Sequence, residues 1–204
     1  MRKTYTLIVM LAMLFVGVNN ASAQTSYTDE QDVTYSIGDT YATVTGYTGS
    51  ATDVVIPATI GEGEVPVTHV GASAFANKTA LTTVTMEAAG EINFADNAFN
   101  GCSALTAVNL TAGQTKTVGA SAFRGCTVLK TIGATTDVIS LPLVENLSDY
   151  AFYGALALTT VELPVATRIG NYAFYNTTTS PNGITTVTGG EKPNICWRPS
   201  ILWM

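Results

Sequence analysis

Apolar and polar residues alternate in two short runs near the front of the chain, Val33-Thr34-Tyr35-Ser36-Ile37 and Tyr41-Ala42-Thr43-Val44-Thr45-Gly46-Tyr47. Alternation with period two marks a strand with one buried face. Gly38-Asp39-Thr40 separates the runs, so the pair reads as an antiparallel hairpin. A third strand follows at Asp53-Val54-Val55-Ile56, and Pro57 suits its end, where no ladder hydrogen bond is needed. Gly61-Glu62-Gly63 makes a turn, and Val65 to Val70 leads into a longer rhythm.

That rhythm has two alternating parts. One is a short segment ending in Ala-Phe: Gly71 to Phe75, Ala95 to Phe99, Gly119 to Phe123, Ser148 to Phe152 and Gly170 to Phe174. The other is a strand-like run: Leu81 to Met86, Leu105 to Leu110, Leu129 to Ala134, Leu158 to Leu163 and, after an insertion, Ile184 to Gly189. The five phenylalanines are spaced by 24, 24, 29 and 22 residues. A unit of that length cannot bury its apolar face alone and must stack on its neighbours. The runs predict six parallel strands, counting the one at Val54. The Ala-Phe segments predict a single helical turn or tight bend, with both side chains inward. Asn77, Gly101, Gly125, Gly154 or Asn176 follows each bend, where a left-handed residue is tolerated.

The combination of (Val/Ile)-Gly-x-x-Ala-Phe, a small residue with Cys or Ala, and Leu-x-x-(Val/Ile)-x-Leu resembles the BspA-like leucine-rich repeats, also called the Treponema pallidum type. The resemblance covers about residues 53 to 189, with departures at Phe94-Ala95, at Gly133-Ala134 and in the fifth repeat. The expected fold class is an α/β repeat: a right-handed leucine-rich-repeat solenoid of short parallel strands with an N-terminal β-hairpin cap. A cap there would cover an open sheet edge, which otherwise invites aggregation. The expected organisation is a signal peptide over 1–23, the hairpin cap over 24–52, the solenoid over 53–190 and a non-repeat tail over 191–204.

The signal peptide is read from Met1-Arg2-Lys3, the apolar run Leu7 to Val16 and the small-x-small site Ala21-Ser22-Ala23, with cleavage expected before Gln24. The apolar run is shorter than the roughly 20 residues that span a bilayer. No Cys stands at the cleavage site, so lipid anchoring is not expected. Loss of Arg2 and Lys3 takes the formal charge from −6 to −8, and no basic patch remains to attract nucleic acid. Charged residues make up 12%, and the abundance of Thr suits pleated surfaces. The tail holds Cys196, Trp197 and Trp203 between and beyond Pro193 and Pro199; it reads equally as a cap over the last repeat or as the scar of a truncated gene.

Candidate chemistry is sparse. Cys102 and Cys126 share one slot in adjacent repeats, so a disulfide and a pair of buried thiols are both open. Ala155 in the same slot favours packing. His69 has no nucleophile or orienting acid beside it in the repeat. The carboxylates are scattered, and no zinc spacing, calcium loop or phosphate loop is present. No catalytic residue, metal or cofactor is expected.

The outward strand positions offer the candidate binding surface. With Val84 and Met86 inward, Thr83 and Thr85 turn outward, and successive repeats align Asn109, Thr131, Thr160, Glu162, Thr186 and Thr188 with them. An ice-binding ladder is disfavoured because Ala107, Asn109, Gly133 and Glu162 interrupt it. The resemblance implies a non-enzymatic, secreted or cell-surface binding module. Its implied partners are host matrix or surface proteins, or other bacteria. A structural envelope protein is the alternative, and so is a carbohydrate-binding module, for which Tyr150, Tyr153, Tyr172 and Tyr175 near the turns are the one pointer.

Overall fold

The computed structural model describes residues 25–61, 64–175, 186–189 and 194–195. The expected leader, nearly all of the tail, Asn176 and the segment from residue 177 to 185 lie outside the described residues. The chain opens with β1 (Thr25–Thr28), β2 (Val33–Ile37) and β3 (Ala42–Tyr47), paired antiparallel in that order. Inward Val33, Tyr35, Ala42, Val44 and Tyr47 are buried, as the alternation requires. The Tyr35 hydroxyl donates to Asp29 at 2.9 Å, and burial beside that carboxylate pushes the phenol well above its ordinary range.

From here the chain coils. Its strands are β4 (Asp53–Ile56), β5 (Thr59–Ile60), β6 (Val65–Val70), β7 (Thr83–Phe94), β8 (Ala107–Val118), β9 (Thr131–Gly133) and β10 (Val138–Ser140). They continue with β11 (Asn146–Leu147), β12 (Thr160–Leu163), β13 (Arg168–Ile169), β14 (Thr186–Gly189) and β15 (Asn194–Ile195). One parallel ladder runs β4, β7, β8, β9, β10, β12, β14. β5 pairs antiparallel with β6. A second parallel ladder precedes each Ala-Phe bend. It joins β3, β6 and the ends of β7 and β8, is broken after β8, and resumes as a separate three-stranded sheet of β11, β13 and β15. The twelve-residue strands β7 and β8 pass through both ladders.

β10 is absent from the strands that the sequence predicts. It inserts between β9 and β12, in the interval where the phenylalanines are 29 residues apart rather than 22 or 24. Gly133 and Asp137, both at positive φ, let residues 134–137 reverse sharply enough to return as a parallel neighbour.

The Ala-Phe segments are bends, and the α/β expectation is corrected: no helix occurs among the described residues. Two observations give the reason. The residue two before each Phe is left-handed, at Ser73, Asn97, Ser121, Tyr150 and Tyr172, which no right-handed helix accommodates. The amides also alternate in direction. Ala74 and Ala76 donate back to Gly71 and Ser73, whereas Ser73, Phe75 and Asn77 donate forward to Asp96, Ala98 and Asn100 of the next coil. Half of the amides a helix would need are therefore spent joining coils. Asn77, Gly101, Gly125 and Gly154 close their bends at positive φ, as the sequence predicts.

The core is a stack of rings. Phe75, Phe99, Phe123, Phe152 and Phe174 lie face to face, with centroids 5.0, 5.3, 5.3 and 5.5 Å apart. Tyr47 extends the stack toward the hairpin, and Phe94 meets Phe99 and Phe123 edge-on. Threonine hydroxyls stitch the outside, from Thr82 to the Thr52 carbonyl and from Thr106 to the Thr82 carbonyl, each at 2.9 Å.

Candidate functional site

The described parts of the predicted strand rows lie together on the first ladder. Thr83 pairs with Ala107 and Thr85 with Asn109, whose amide approaches the Thr85 hydroxyl at 3.5 Å. Asp53 begins the row and accepts hydrogen bonds from the hydroxyls of Thr83, Thr52 and Thr82, which hold its carboxyl below the ordinary carboxylate range. Thr160 and Glu162 pair in backbone register with Thr186 and Thr188, whose side chains lie outside the described residues.

Two details depart from the expected rows. Thr131 is buried, and its hydroxyl accepts the Asp137 amide at 3.0 Å; the 134–137 reversal folds over it. Its outward placement is therefore corrected. Glu162 neighbours Ser140 of β10, whose hydroxyl donates to its carboxylate at 3.2 Å, rather than Gly133 of β9. The inserted strand moves the two halves of the row one strand spacing apart, about 4.8 Å.

The second ladder carries a polar row that the sequence reading missed. Thr43 pairs with His69, His69 with Asn93 and Asn93 with Thr117, and Asn146 then pairs with Arg168. The Thr117 hydroxyl donates to the Asn93 side-chain oxygen at 2.9 Å. His69 stacks on Tyr41 at 4.1 Å, and its Nδ1 lies 2.9 Å from the Thr68 hydroxyl; partial burial lowers its pKa. The available signal was the polar residue standing immediately before Val70, Phe94, Val118, Leu147 and Ile169. A shallow depression beside the row is bordered by Ala95, Asp96, Gly119 and Asn146.

Both described cysteines are free and buried. Cys102 donates to the Phe75 carbonyl and Cys126 to the Phe99 carbonyl, at 2.9 and 3.1 Å. Burial pushes the Cys102 thiol up to about 11 and the Cys126 thiol higher still. These thiols pack and cap carbonyls, and they are poor nucleophiles.

The tyrosines converge on the bend side of the fourth and fifth coils. Tyr150 stacks on Tyr172 at 5.2 Å and Tyr153 on Tyr175 at 5.5 Å. The two stacks touch through Tyr150–Tyr153 and Tyr172–Tyr175 contacts of 5.8 and 5.4 Å. The Arg124 guanidinium lies 5.1 Å from the Tyr153 ring centroid. Tyr150, Tyr172 and Tyr175 are 37, 48 and 52% exposed, so three of the four keep a substantial part of their surface open to solvent. Tyr150 and Tyr172 also hold φ of 58° and 56°, a conformation costing a bulky residue about 1–3 kcal/mol. Ser73, Asn97 and Ser121 occupy the same place in the other coils.

A family model, the BspA type leucine rich repeat region, matches residues 47–180 in six copies. Among solved structures, the chain is similar to the leucine-rich repeat protein of T. pallidum, with 22% identity and a TM-score of 0.57, covering 83% of this chain and 70% of that one. It is similar to a leucine rich cell surface protein of Faecalibacterium prausnitzii, with 24% identity and a TM-score of 0.53, over 84% of this chain. The pneumococcal vaccine antigen PcpA matches at 17% identity and a TM-score of 0.50, also over 84%. The chain spans 56% of the F. prausnitzii protein and 51% of PcpA. No curated protein matches it at a significant level.

Proposed function

The chain belongs to the BspA-type leucine-rich-repeat family, and from that membership we propose that it is a non-enzymatic binding module, exported to the cell surface or medium, that attaches to extracellular or cell-surface proteins of a host or of other bacteria. One observation carries this reading: the first ladder runs from coil to coil and sets Asp53, Thr83, Thr85, Asn109, Thr160 and Glu162 along its length, interrupted where the 134–137 reversal covers Thr131 and β10 inserts. Repeat stacks present such extended surfaces for binding. The antiparallel β1–β3 unit serves in this reading to close the first sheet edge. No helix among the described residues is long and apolar enough to cross a membrane. Export rests on the leader. Mass spectrometry of exported protein is expected to find Gln24 at the N-terminus, and an intact Met1 on that material would refute the cleavage.

The row side chains are short, so each contact is weak and affinity must come from several coils or many copies. Little charge lies there, so binding should change only modestly with salt. The test replaces Thr85, Asn109 and Glu162 together with Lys and measures binding to a panel of immobilised matrix proteins. Melting should hold, because these side chains lie on the outer surface, while binding to any member the unaltered chain recognises should fall at least tenfold. Undiminished binding by the folded variant would remove the strand face from the reading.

A further inference from the structure

We propose that the four-tyrosine patch beside Arg124 is a second interaction surface, separate from the strand face, and that it takes an acidic protein segment. The first argument is placement. Within the bends, the position two before Phe carries Ser73, Asn97 and Ser121 in the first three coils and Tyr150 and Tyr172 in the last two. The position after Phe carries Ala76, Asn100 and Arg124, then Tyr153 and Tyr175. Folding is served by the smaller residues, since the same bend forms with them. Tyr150 and Tyr172 replace them where the backbone is left-handed, and both rings stay exposed, so that pair of substitutions is unfavourable for the fold and its use lies at the surface.

The second argument selects the partner. A pyranose ring binds by lying on an aromatic face. Here Tyr153 lies between Tyr175 of the next coil and Arg124 of the preceding one, and Tyr150 and Tyr172 turn faces to each other. What the patch offers is phenol hydroxyls and partly exposed rings from mutually braced side chains. Rigid, amphipathic tyrosines of this kind, with arginine, dominate protein-recognising surfaces. Charge narrows the class. Arg124 makes no ion pair among the described residues, whereas the nearby Arg168 lies 3.9 Å from Asp149. An incoming carboxylate can take the guanidinium as it stands on the Tyr153 ring.

The sequence itself supplies the substitutions for a test. Tyr150→Ser and Tyr172→Ser copy Ser73 and Ser121, while Tyr153→Asn and Tyr175→Ala copy Asn100 and Ala76. The fourfold variant should therefore fold with an undiminished melting temperature. A displayed library of random peptides is panned on the full chain, and the selected peptides are measured against the fourfold variant and against Arg124→Ala. A glycan array of neutral and sialylated oligosaccharides is probed in parallel. We expect peptides carrying Asp or Glu beside apolar residues, weakened at least tenfold by the fourfold variant and several-fold by Arg124→Ala. No selected peptide, peptides without acidic residues, or equal binding to the folded fourfold variant would overturn the proposal. Tyrosine-dependent binding on the array without any selected peptide would overturn it in favour of a glycan. None of these outcomes depends on the Thr85, Asn109 and Glu162 face.

Discussion

Phe123→Ala should destabilise the protein by about 3–5 kcal/mol, the usual cost of emptying a buried phenylalanine site. For a chain of this size that corresponds to a fall in melting temperature of roughly 6–20 °C. Phe123 is fully buried and sits mid-stack, with Phe99 and Phe152 on its two faces and the Phe94 edge against it. Its amide also donates to the Ala151 carbonyl of the next coil, so the backbone cannot easily collapse into the space. Stability in a stacked protein resides largely in the contacts between neighbours, and this one side chain belongs to two of them. Denaturant unfolding of the variant gives the value directly. Val128→Ala, at a 38% exposed position, is the control and should change stability by less than about 0.5 kcal/mol. A Phe123→Ala loss below about 1 kcal/mol would show that the ring stack does not bear the fold.

Gly119→Ala is the second large effect, and it arises from space rather than backbone freedom. A Cβ at Gly119 would stand 2.5 Å from the Asp96 nitrogen and 2.6 Å from both the Ala95 carbonyl carbon and Asp96 Oδ1. Asp96 could swing its carboxylate aside, at the cost of the 2.7 Å hydrogen bond it accepts from the Ala120 amide. The backbone of Ala95 and Asp96 cannot move without parting the coils, because the Gly119 amide is bonded to the Phe94 carbonyl at 2.8 Å. Overpacking of this kind costs about 1–3 kcal/mol, and contact with backbone places this site at the upper end. Gly154→Ala is the contrast. Gly154 has φ +72°, and a methyl added there would meet nothing within 4 Å, so the variant should lose only the left-handed penalty of about 1–2 kcal/mol. Parallel chemical melts of the two variants decide the matter. If Gly154→Ala proves the costlier, the close approach between coils is not what glycine serves at 119.

The phenylalanine stack and most strands of the first ladder were legible because they depend on period and polarity, which a sequence displays. An Ala-Phe at each bend can only point inward when polar residues flank it and the next coil must be met. The family resemblance followed from the same spacing. The candidate rows were legible only in outline. Alternation showed that Thr83, Thr85 and Asn109 face outward, but it could not show that a reversal at 134–137 covers Thr131, or that β10 separates β9 from β12. Val138, Ile139 and Ser140 are too short a run to announce a strand, and their pairing partners on both sides are distant in sequence or across a tight loop.

What the sequence alone determined about this protein is therefore the repeat, its phase and the identity of its inward side chains, since burial of a periodic apolar set leaves one solution for a stacked chain. Tertiary structure decided the rest. The bends are not helical because alternate amides bond to the next coil, a commitment visible only once the coils are stacked. Tyr150, Tyr153, Tyr172 and Tyr175 became one braced patch because stacking sets residues 22 apart in sequence at ring-contact distance, and local pattern carries no information about which faces remain open.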